Sequence, residues 1–141
     1  SVQGKLEIDL LALNQHSKFH IEVSISHDKQ FAKLRSGDYK KQKDKATQRC
    51  YLSFFEEKKF NRPLVLKKLQ EFGFDNDQYT KVIVTNGWDE QTEREAKDFN
   101  IELWNFKDII KELANEAGKV SSDFLSDNLR LFQLLSKLGL I

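Results

Sequence analysis

Cysteine and histidine are scarce in this sequence: its 141 residues include one cysteine, Cys50, and three histidines. A single cysteine excludes an internal disulfide, and the lack of ligand spacing among these residues argues against a zinc site. Apolar runs are short, and none approaches the roughly 18 residues of a membrane helix. The first residues carry neither the basic region nor the apolar block of a signal peptide. We therefore expect an intracellular, cytoplasmic protein without a membrane partner.

Methionine is absent even at the first position, which favours a domain from a longer chain or a larger complex. The chain is also nearly neutral, because 23 basic and 22 acidic residues leave a net charge of +1. Any nucleic-acid-binding surface must therefore be a local concentration of basic residues. The apolar content is sufficient for the core of one domain, since 39% of the residues are hydrophobic and eleven are phenylalanine.

Hydrophobic periodicity divides the chain into strands and helices. The predicted strands span 5–13, 19–26, 81–85 and 101–106. The predicted helices span 39–60, 64–72, 90–100, 107–116 and 121–138. The longest helix ends before Pro63, because the residue that precedes a proline disfavours helix. We predict an α/β fold with a mixed central sheet flanked by helices, comprising a domain over 1–118 and a C-terminal helix within 119–141 packed on it.

The two arms of the predicted N-terminal hairpin each carry a carboxylate inside an apolar run, Asp9 on the first and Glu22 on the second. Side chains alternate between the faces of a strand, and a four-residue loop over 14–17 places Asp9 opposite Glu22. Their Cβ atoms would then be about 5 Å apart, where two like charges destabilise a sheet. Mg²⁺, which binds one or two carboxylates together with water, would relieve this repulsion. The alternative is that both acids face water on the exposed side of the hairpin.

Basic residues are concentrated in residues 29–49, which hold eight lysines and arginines against two acids. Five of them lie around the predicted start of the long helix: Lys40, Lys41, Lys43, Lys45 and Arg49. Such a cluster can neutralise the phosphates of a nucleic acid. The alternative is an ordinary solvated helix face. Because the acid pair directly precedes this basic segment, we expect DNA as a partner.

Four segments resemble the PD-(D/E)XK nuclease superfamily: EIDLLA at 7–12, HIEVS at 20–24, and the later strands KVIVTNG and NIELWNF. In that superfamily an Asp lies on one core strand, and a Glu or Asp, one residue and a Lys lie on the next. A helix, a strand, a helix and a strand follow. The resemblance covers about residues 4–116. It implies a restriction-endonuclease-like fold in which the usual N-terminal helix and strand are absent or replaced.

The resemblance also implies an activity, that of a metal-dependent endonuclease hydrolysing DNA phosphodiester bonds. Asp9 and Glu22 would hold Mg²⁺ or Mn²⁺, with the Val23 carbonyl as a third ligand. Many members cut two strands as dimers, so the resemblance implies a homodimer as well.

Ser24 stands where the superfamily has its lysine, and a hydroxyl cannot supply the cation that orients the attacking water. Some members draw this lysine from the following helix, which makes Lys40 and Lys43 candidates for the catalytic cation, together with Lys41. The other explanation is a catalytically inactive domain that binds nucleic acid or another protein. His20 shares the acid-bearing face, although a lone histidine is more often structural than catalytic.

Overall fold

The computed structural model describes residues 8–13, 17–26, 28, 33–75 and 78–117. The strands are β1 (Leu10–Leu13), β2 (Lys18–Ser24), β3 (Thr80–Thr85) and β4 (Ile101–Asn105). The helices are α1 (Lys45–Gln48), α2 (Leu52–Phe54), α3 (Pro63–Glu71), α4 (Glu90–Asp98) and α5 (Phe106–Ala117), with a 3₁₀ turn over Tyr39–Lys41 and a π-helix over Phe55–Phe60. None of these helices is long and apolar enough to cross a membrane. The predicted C-terminal helix and the domain boundary at residue 118 lie outside the described residues.

The four strands form one mixed sheet in the order β1-β2-β3-β4. β1 runs antiparallel to β2, while β2, β3 and β4 run parallel to one another. Leu13 pairs with Lys18, so the hairpin has the predicted register, and Asp9 lies opposite Glu22. Helices pack on both faces of this sheet, which confirms the predicted α/β class with a mixed sheet flanked by helices.

Alternation along the strands gives the sheet two faces with separate apolar clusters. On one face, Ile21 and Val84 pack against Ile109 of α5. The cluster on the other face draws its buried residues from two strands, α2, the π-helix, α4 and a loop: Leu34, Leu52, Phe55, Phe60, Ile83, Ala96 and Ile101. Glu22 follows Ile21 and therefore points to this second face. The acid-bearing face is thus the one that α2 and the π-helix cover.

The predicted helix over 39–60 is wrong as a continuous element, because several short turns occupy the segment instead. Two aspartates start the first two of these turns, and a further break lies at Tyr51, whose extended backbone pairs with Arg35. The Asp38 carboxylate accepts a hydrogen bond from the Lys40 N–H at 2.9 Å, and the Asp44 carboxylate accepts one from the Thr47 N–H at 3.1 Å. Short acidic side chains that bond to the nearby backbone in this way start helices, so each aspartate begins a new turn.

The π-helix Phe55–Phe60 continues directly from α2 and ends where the Asn61 N–H donates to the Glu56 carbonyl at 3.1 Å. This i to i+5 pattern departs from the 3.6-residue period of an α-helix and shifts which positions face the sheet. Phe60, at its end, is fully buried. π-helical turns occur frequently at functional sites, and this one lies on the face of the sheet that carries the two acids.

We expect Asp89→Ala to lower the free energy of unfolding by about 1 kcal/mol. Asp89 caps α4, because its carboxylate accepts hydrogen bonds from the N–H and the hydroxyl of Thr92, each at 2.8 Å. Asp98→Ala, at the other end of the same helix, is the control and should leave stability equal or slightly higher, since an acid is unfavourable near a helix C-terminus. Urea unfolding measures both variants, and equal losses would contradict the capping role.

Candidate functional site

Asp9 and Glu22 lie side by side at the start of β1, as the register of the hairpin predicts. The Asp9 N–H donates to Glu22 Oε2 at 3.3 Å, and Asp9 Oδ2 accepts a hydrogen bond from the Val23 N–H at 2.9 Å. The N–H and C=O of a strand residue point towards the same neighbouring strand, so the Val23 carbonyl also faces the Asp9 side. The structure therefore places Asp9, Glu22 and Val23, the three residues that the resemblance implies as ligands, next to one another.

Burial distinguishes the two carboxyl groups. Glu22 is fully buried, whereas Asp9 is half-buried. The alternative in which both acids face water is wrong for Glu22. Its side chain is fully buried on the face of the sheet that α2 and the π-helix cover. A buried carboxylate is costly unless it is paired, hydrogen-bonded or bound to a metal. The pair therefore needs a proton or a cation to compensate its charge.

His20 lies two residues before Glu22 on the same face of β2, and it is also fully buried. Its Nε2 is 3.1 Å from Glu22 Oε1. The imidazole ring packs edge-on against the Phe60 ring, with 4.8 Å between the centroids. Each oxygen of Glu22 thus has a contact, one with His20 and the other with the Asp9 N–H, so the orientation of the carboxyl group is fixed.

Burial also sets the protonation of both side chains. Burial, reinforced by the Asp9 carboxyl group, raises the pKa of Glu22 to about 9, while the charge of Lys59 opposes this rise. Burial lowers the pKa of His20 to about 4, so the ring is neutral at neutral pH. Burial and the neighbouring carboxyl group both disfavour the ionised form of Glu22. At neutral pH Glu22 is therefore protonated.

A cleft of about 270 Å³ opens beside Asp9. Its lining comes from both strands of the hairpin and from the segment that covers them: Asp9, Val23, Ser24, Arg49, Phe54, Phe55 and Lys59. At about 30 Å³ for each molecule of liquid water, the cleft has room for several waters or for a phosphate group. The polar side chains of this lining are one acid, two cations and one hydroxyl group. The two cations suit the cleft to an anionic substrate.

Lys59 is a site residue that the sequence reasoning missed. It lies on the π-helix, lines the cleft, and lowers through its charge the pKa of both Glu22 and His20. The sequence did contain one signal. Lys59 directly precedes Phe60 and follows Phe55 by four residues, so it is placed between two phenylalanines of the core.

The basic residues predicted to bind DNA divide into two groups. Arg49 lines the cleft. The other four are exposed and, in the part of the chain that the structure describes, do not line it: Lys40, Lys41, Lys43 and Lys45. Lys40 pairs instead with Glu57, with 3.5 Å between Nζ and Oε2. The cleft beside the acid pair thus contains Arg49 and Lys59, and neither Lys40 nor Lys43 lines it.

The donor set at the pair fits a hard divalent cation. Carboxylate and carbonyl oxygens are the ligands that Mg²⁺ and Mn²⁺ prefer, and Mg²⁺ is often held by one or two carboxylates while water and substrate complete its shell. Among the residues described, no group of three or more acidic, histidine or cysteine side chains is placed to hold a metal by itself. A cation at Asp9 and Glu22 would therefore keep part of its water shell, and it would displace the proton of Glu22.

We expect the metal-free protein to lose stability as the pH rises from about 6.5 to 9. The pKa of Glu22 is about 9 in the folded state against an ordinary 4.5, so across this range the folded state binds more protons than the unfolded state. His20 acts in the opposite sense, but only between its folded pKa of about 4 and its ordinary 6.5. Above pH 6.5 the free energy of unfolding should fall by at most about 1.4 kcal/mol for each pH unit.

Urea unfolding in EDTA at several pH values across this window measures the effect. Glu22→Gln is the matched variant, because it keeps the shape of the side chain and cannot titrate. Its stability should be nearly independent of pH over the same window. A wild-type protein whose stability stays constant or rises between pH 6.5 and 9 would contradict the raised pKa of Glu22.

Comparisons of the chain with protein-family models, with curated proteins and with solved structures give no match. The resemblance of the hairpin motifs to the PD-(D/E)XK superfamily stays a prediction. A function for the chain has to be inferred from the acid pair, the cleft beside it and the two cations in that cleft.

Proposed function

We propose that this chain is a metal-dependent nuclease domain of the PD-(D/E)XK type that hydrolyses DNA phosphodiester bonds with Mg²⁺ or Mn²⁺ at Asp9 and Glu22. One observation carries the proposal: buried Glu22 and half-buried Asp9 lie side by side next to a cleft that also contains Arg49 and Lys59. An acid pair with only a structural role would need neither an open cleft nor cationic side chains within it.

The order and direction of the strands support a restriction-endonuclease-like fold. Asp9 leads into β1, which is antiparallel to the Glu22 strand β2; a helical segment, β3, α4 and β4 follow, with both later strands parallel to β2. The superfamily shares this order of Asp strand, Glu strand, helix, strand, helix and strand. The two acids also meet on one face of the sheet, as the ligands of a single ion must.

Asp9 and Glu22 would hold the cation, with the Val23 carbonyl on the same side. When bound, such a cation polarises the scissile phosphate and lowers the pKa of a coordinated water. The two carboxyl groups contribute differently. Glu22 is buried and held at both oxygens, so it fixes the position of the ion, whereas half-buried Asp9 lines the cleft and faces the substrate.

Lys59 supplies the positive charge that Ser24 lacks. Lys59 lines the cleft from the π-helix, where its ammonium group could stabilise the negative charge that develops on the phosphate as the water attacks. Ser24 lines the same cleft, but a hydroxyl offers only a hydrogen bond. The role proposed for Lys40 or Lys43 from the sequence thus passes to a lysine of the following helical segment, nearer the acids.

Arg49 and the exposed lysines bind the remainder of the DNA backbone. Arg49 lines the cleft, and its planar guanidinium group can hold a phosphate through two parallel hydrogen bonds. The positive charge continues from Arg49 along the preceding exposed segment: Lys40, Lys41, Lys43 and Lys45. A row of cations that leads away from the reacting phosphate suits a polymer more than a single nucleotide.

Cleavage of labelled single-stranded, duplex and branched DNA, each assayed in Mg²⁺, Mn²⁺ and EDTA, tests the proposal. We expect hydrolysis of at least one of these DNAs in either metal and none in EDTA. Binding of the same DNA in EDTA should weaken steeply with salt, because cation–phosphate contacts dominate it. A protein that hydrolyses none of the three in either metal would contradict the nuclease assignment.

A domain on the same fold that binds nucleic acid without hydrolysing it is the second candidate. Ser24 favours this candidate, because an uncharged residue occupies the position where the superfamily has its lysine. The exposed lysines and Arg49 would suffice for such binding. Salt-sensitive binding without metal-dependent cleavage in the assay above identifies this function.

A further inference from the structure

His20 is an unusual residue for the core in which it lies. It is fully buried between two aromatic rings, with 4.8 Å to the centroid of Phe60 and 6.3 Å to that of Tyr79. Its Nδ1 has no hydrogen-bond partner among the described residues. A polar atom buried in this way costs stability, so an aliphatic side chain would serve better if packing were the only role. Local choices that oppose stability are expected mainly at functional sites.

The other ring nitrogen indicates the role. Nε2 is 3.1 Å from Glu22 Oε1. A carboxylate that binds a cation is ionised and can only accept hydrogen bonds, so this contact then requires the proton on Nε2. In that tautomer Nδ1 bears a lone pair rather than a proton, and the ring donates its single N–H to Glu22.

Glu22 depends on this hydrogen bond for its orientation. The backbone hydrogen bond to its second oxygen, from the Asp9 N–H, is long at 3.3 Å, which is at the weak end of the normal range. Hydrogen-bonding partners behind a metal ligand orient it, and their removal typically lowers metal affinity by about 10- to 100-fold.

We propose that His20 is a positioning residue of the metal site: its Nε2–H holds the Glu22 carboxylate in the orientation that binds the cation. This inference rests on the metal site of the proposed function. It gives His20 no contact with the metal or with DNA. Metal affinity, more than the stability of the fold, therefore depends on the donor at the Nε2 position.

Calorimetric titration of metal-free protein with Mn²⁺ tests this role in three variants. His20→Leu fills the space without a donor, His20→Gln places its amide nitrogen near the position of Nε2, and His20→Asn places it near that of Nδ1. We expect affinity for Mn²⁺ to fall about 10- to 100-fold in His20→Leu and His20→Asn, and to stay within about threefold of wild type in His20→Gln. The stability of the variants, measured by thermal unfolding in EDTA, should not follow the order of their Mn²⁺ affinities. His20→Leu should be at least as stable as His20→Gln.

Each outcome has a distinct meaning. Equal Mn²⁺ affinity in wild type, His20→Leu and His20→Asn would overturn the positioning role and leave the metal site in place. Absence of Mn²⁺ binding in wild type, or binding that Asp9→Asn leaves unchanged, would overturn the metal site and the role of His20 with it. If His20→Leu does not fold, the comparison of His20→Asn with His20→Gln decides, because both variants keep an amide and differ only in its reach.

Discussion

Asp9→Asn is expected to lower metal-dependent DNA hydrolysis by about 10³-fold or more. A bound metal contributes several kcal/mol of charge stabilisation to such reactions, and about 4 kcal/mol corresponds to a factor of 10³ in rate. Asparagine keeps an oxygen that can accept the hydrogen bond from the Val23 N–H, so the fold should persist while the ionised ligand is lost. Glu22→Gln should have a similar effect for the same reason.

Asp98→Asn is the matched control, since Asp98 is an exposed acid that does not line the cleft. It should cleave at the wild-type rate under identical conditions. Binding of DNA in EDTA should be retained in all three variants, because none of them removes a positive charge. Wild-type cleavage by Asp9→Asn or Glu22→Gln would show that hydrolysis, if present, does not use this pair.

Lys59→Met is expected to lower the cleavage rate by about 10²-fold, the usual cost of removing one group that stabilises charge in the transition state. Methionine keeps much of the length and the apolar contacts of the lysine stem, so a loss of activity reports the charge. Lys40→Met and Lys43→Met are the matched controls. Lys40 pairs with Glu57, and neither lysine lines the cleft. At saturating DNA we therefore expect both variants to cleave within a few-fold of wild type, while their DNA binding weakens because each loses a cation that contacts the backbone.

A lysine at position 24 provides a stricter test of the same role. Ser24 lines the cleft together with Lys59, so Ser24→Lys in the Lys59→Met background returns a cation to the position that the superfamily uses. We expect this double variant to recover part of the lost activity. Full activity in Lys59→Met, with a loss in Lys40→Met or Lys43→Met, would instead return the catalytic cation to the positions that the sequence pattern indicated.

The sheet and the acid pair could be predicted from sequence because short-range rules determine them. Alternation fixes which side chains share a face of a strand, and the loop length of the hairpin fixes the register, so Asp9 and Glu22 could be placed opposite each other in advance. The β-branched run at 81–85 likewise indicated a buried strand, which the structure has as β3.

The helical segment after the hairpin could not be predicted in the same way. Its phenylalanines suggested one long α-helix, but Asp38 and Asp44 each begin a new turn, and the last turn is a π-helix. A period of 3.6 residues assigns faces correctly only in an α-helix. A single α-helical period therefore predicts Lys40 and Lys43, near the start of the segment, as the catalytic cations and does not predict Lys59, near its end.

Burial of the acids also lay beyond the sequence pattern. Alternation placed Glu22 and His20 on one face of the hairpin, but whether that face meets water or a helix depends on contacts with residues more than thirty positions away, such as Phe60. The same long-range packing raises the pKa of Glu22 and turns an ordinary strand acid into a buried carboxyl group that is protonated at neutral pH.

We propose above all that Glu22 exchanges its proton for a divalent cation that it holds together with Asp9, and calorimetric titration of metal-free protein with Mn²⁺ tests this exchange most directly. Measuring at pH 7.5 in two buffers of different ionisation enthalpy gives the number of protons released. We expect one bound ion per chain and about one proton released for each ion, with both signals lost in the double variant Asp9→Asn, Glu22→Gln. Absence of binding, binding without proton release, or binding that the double variant retains would contradict the proposed exchange.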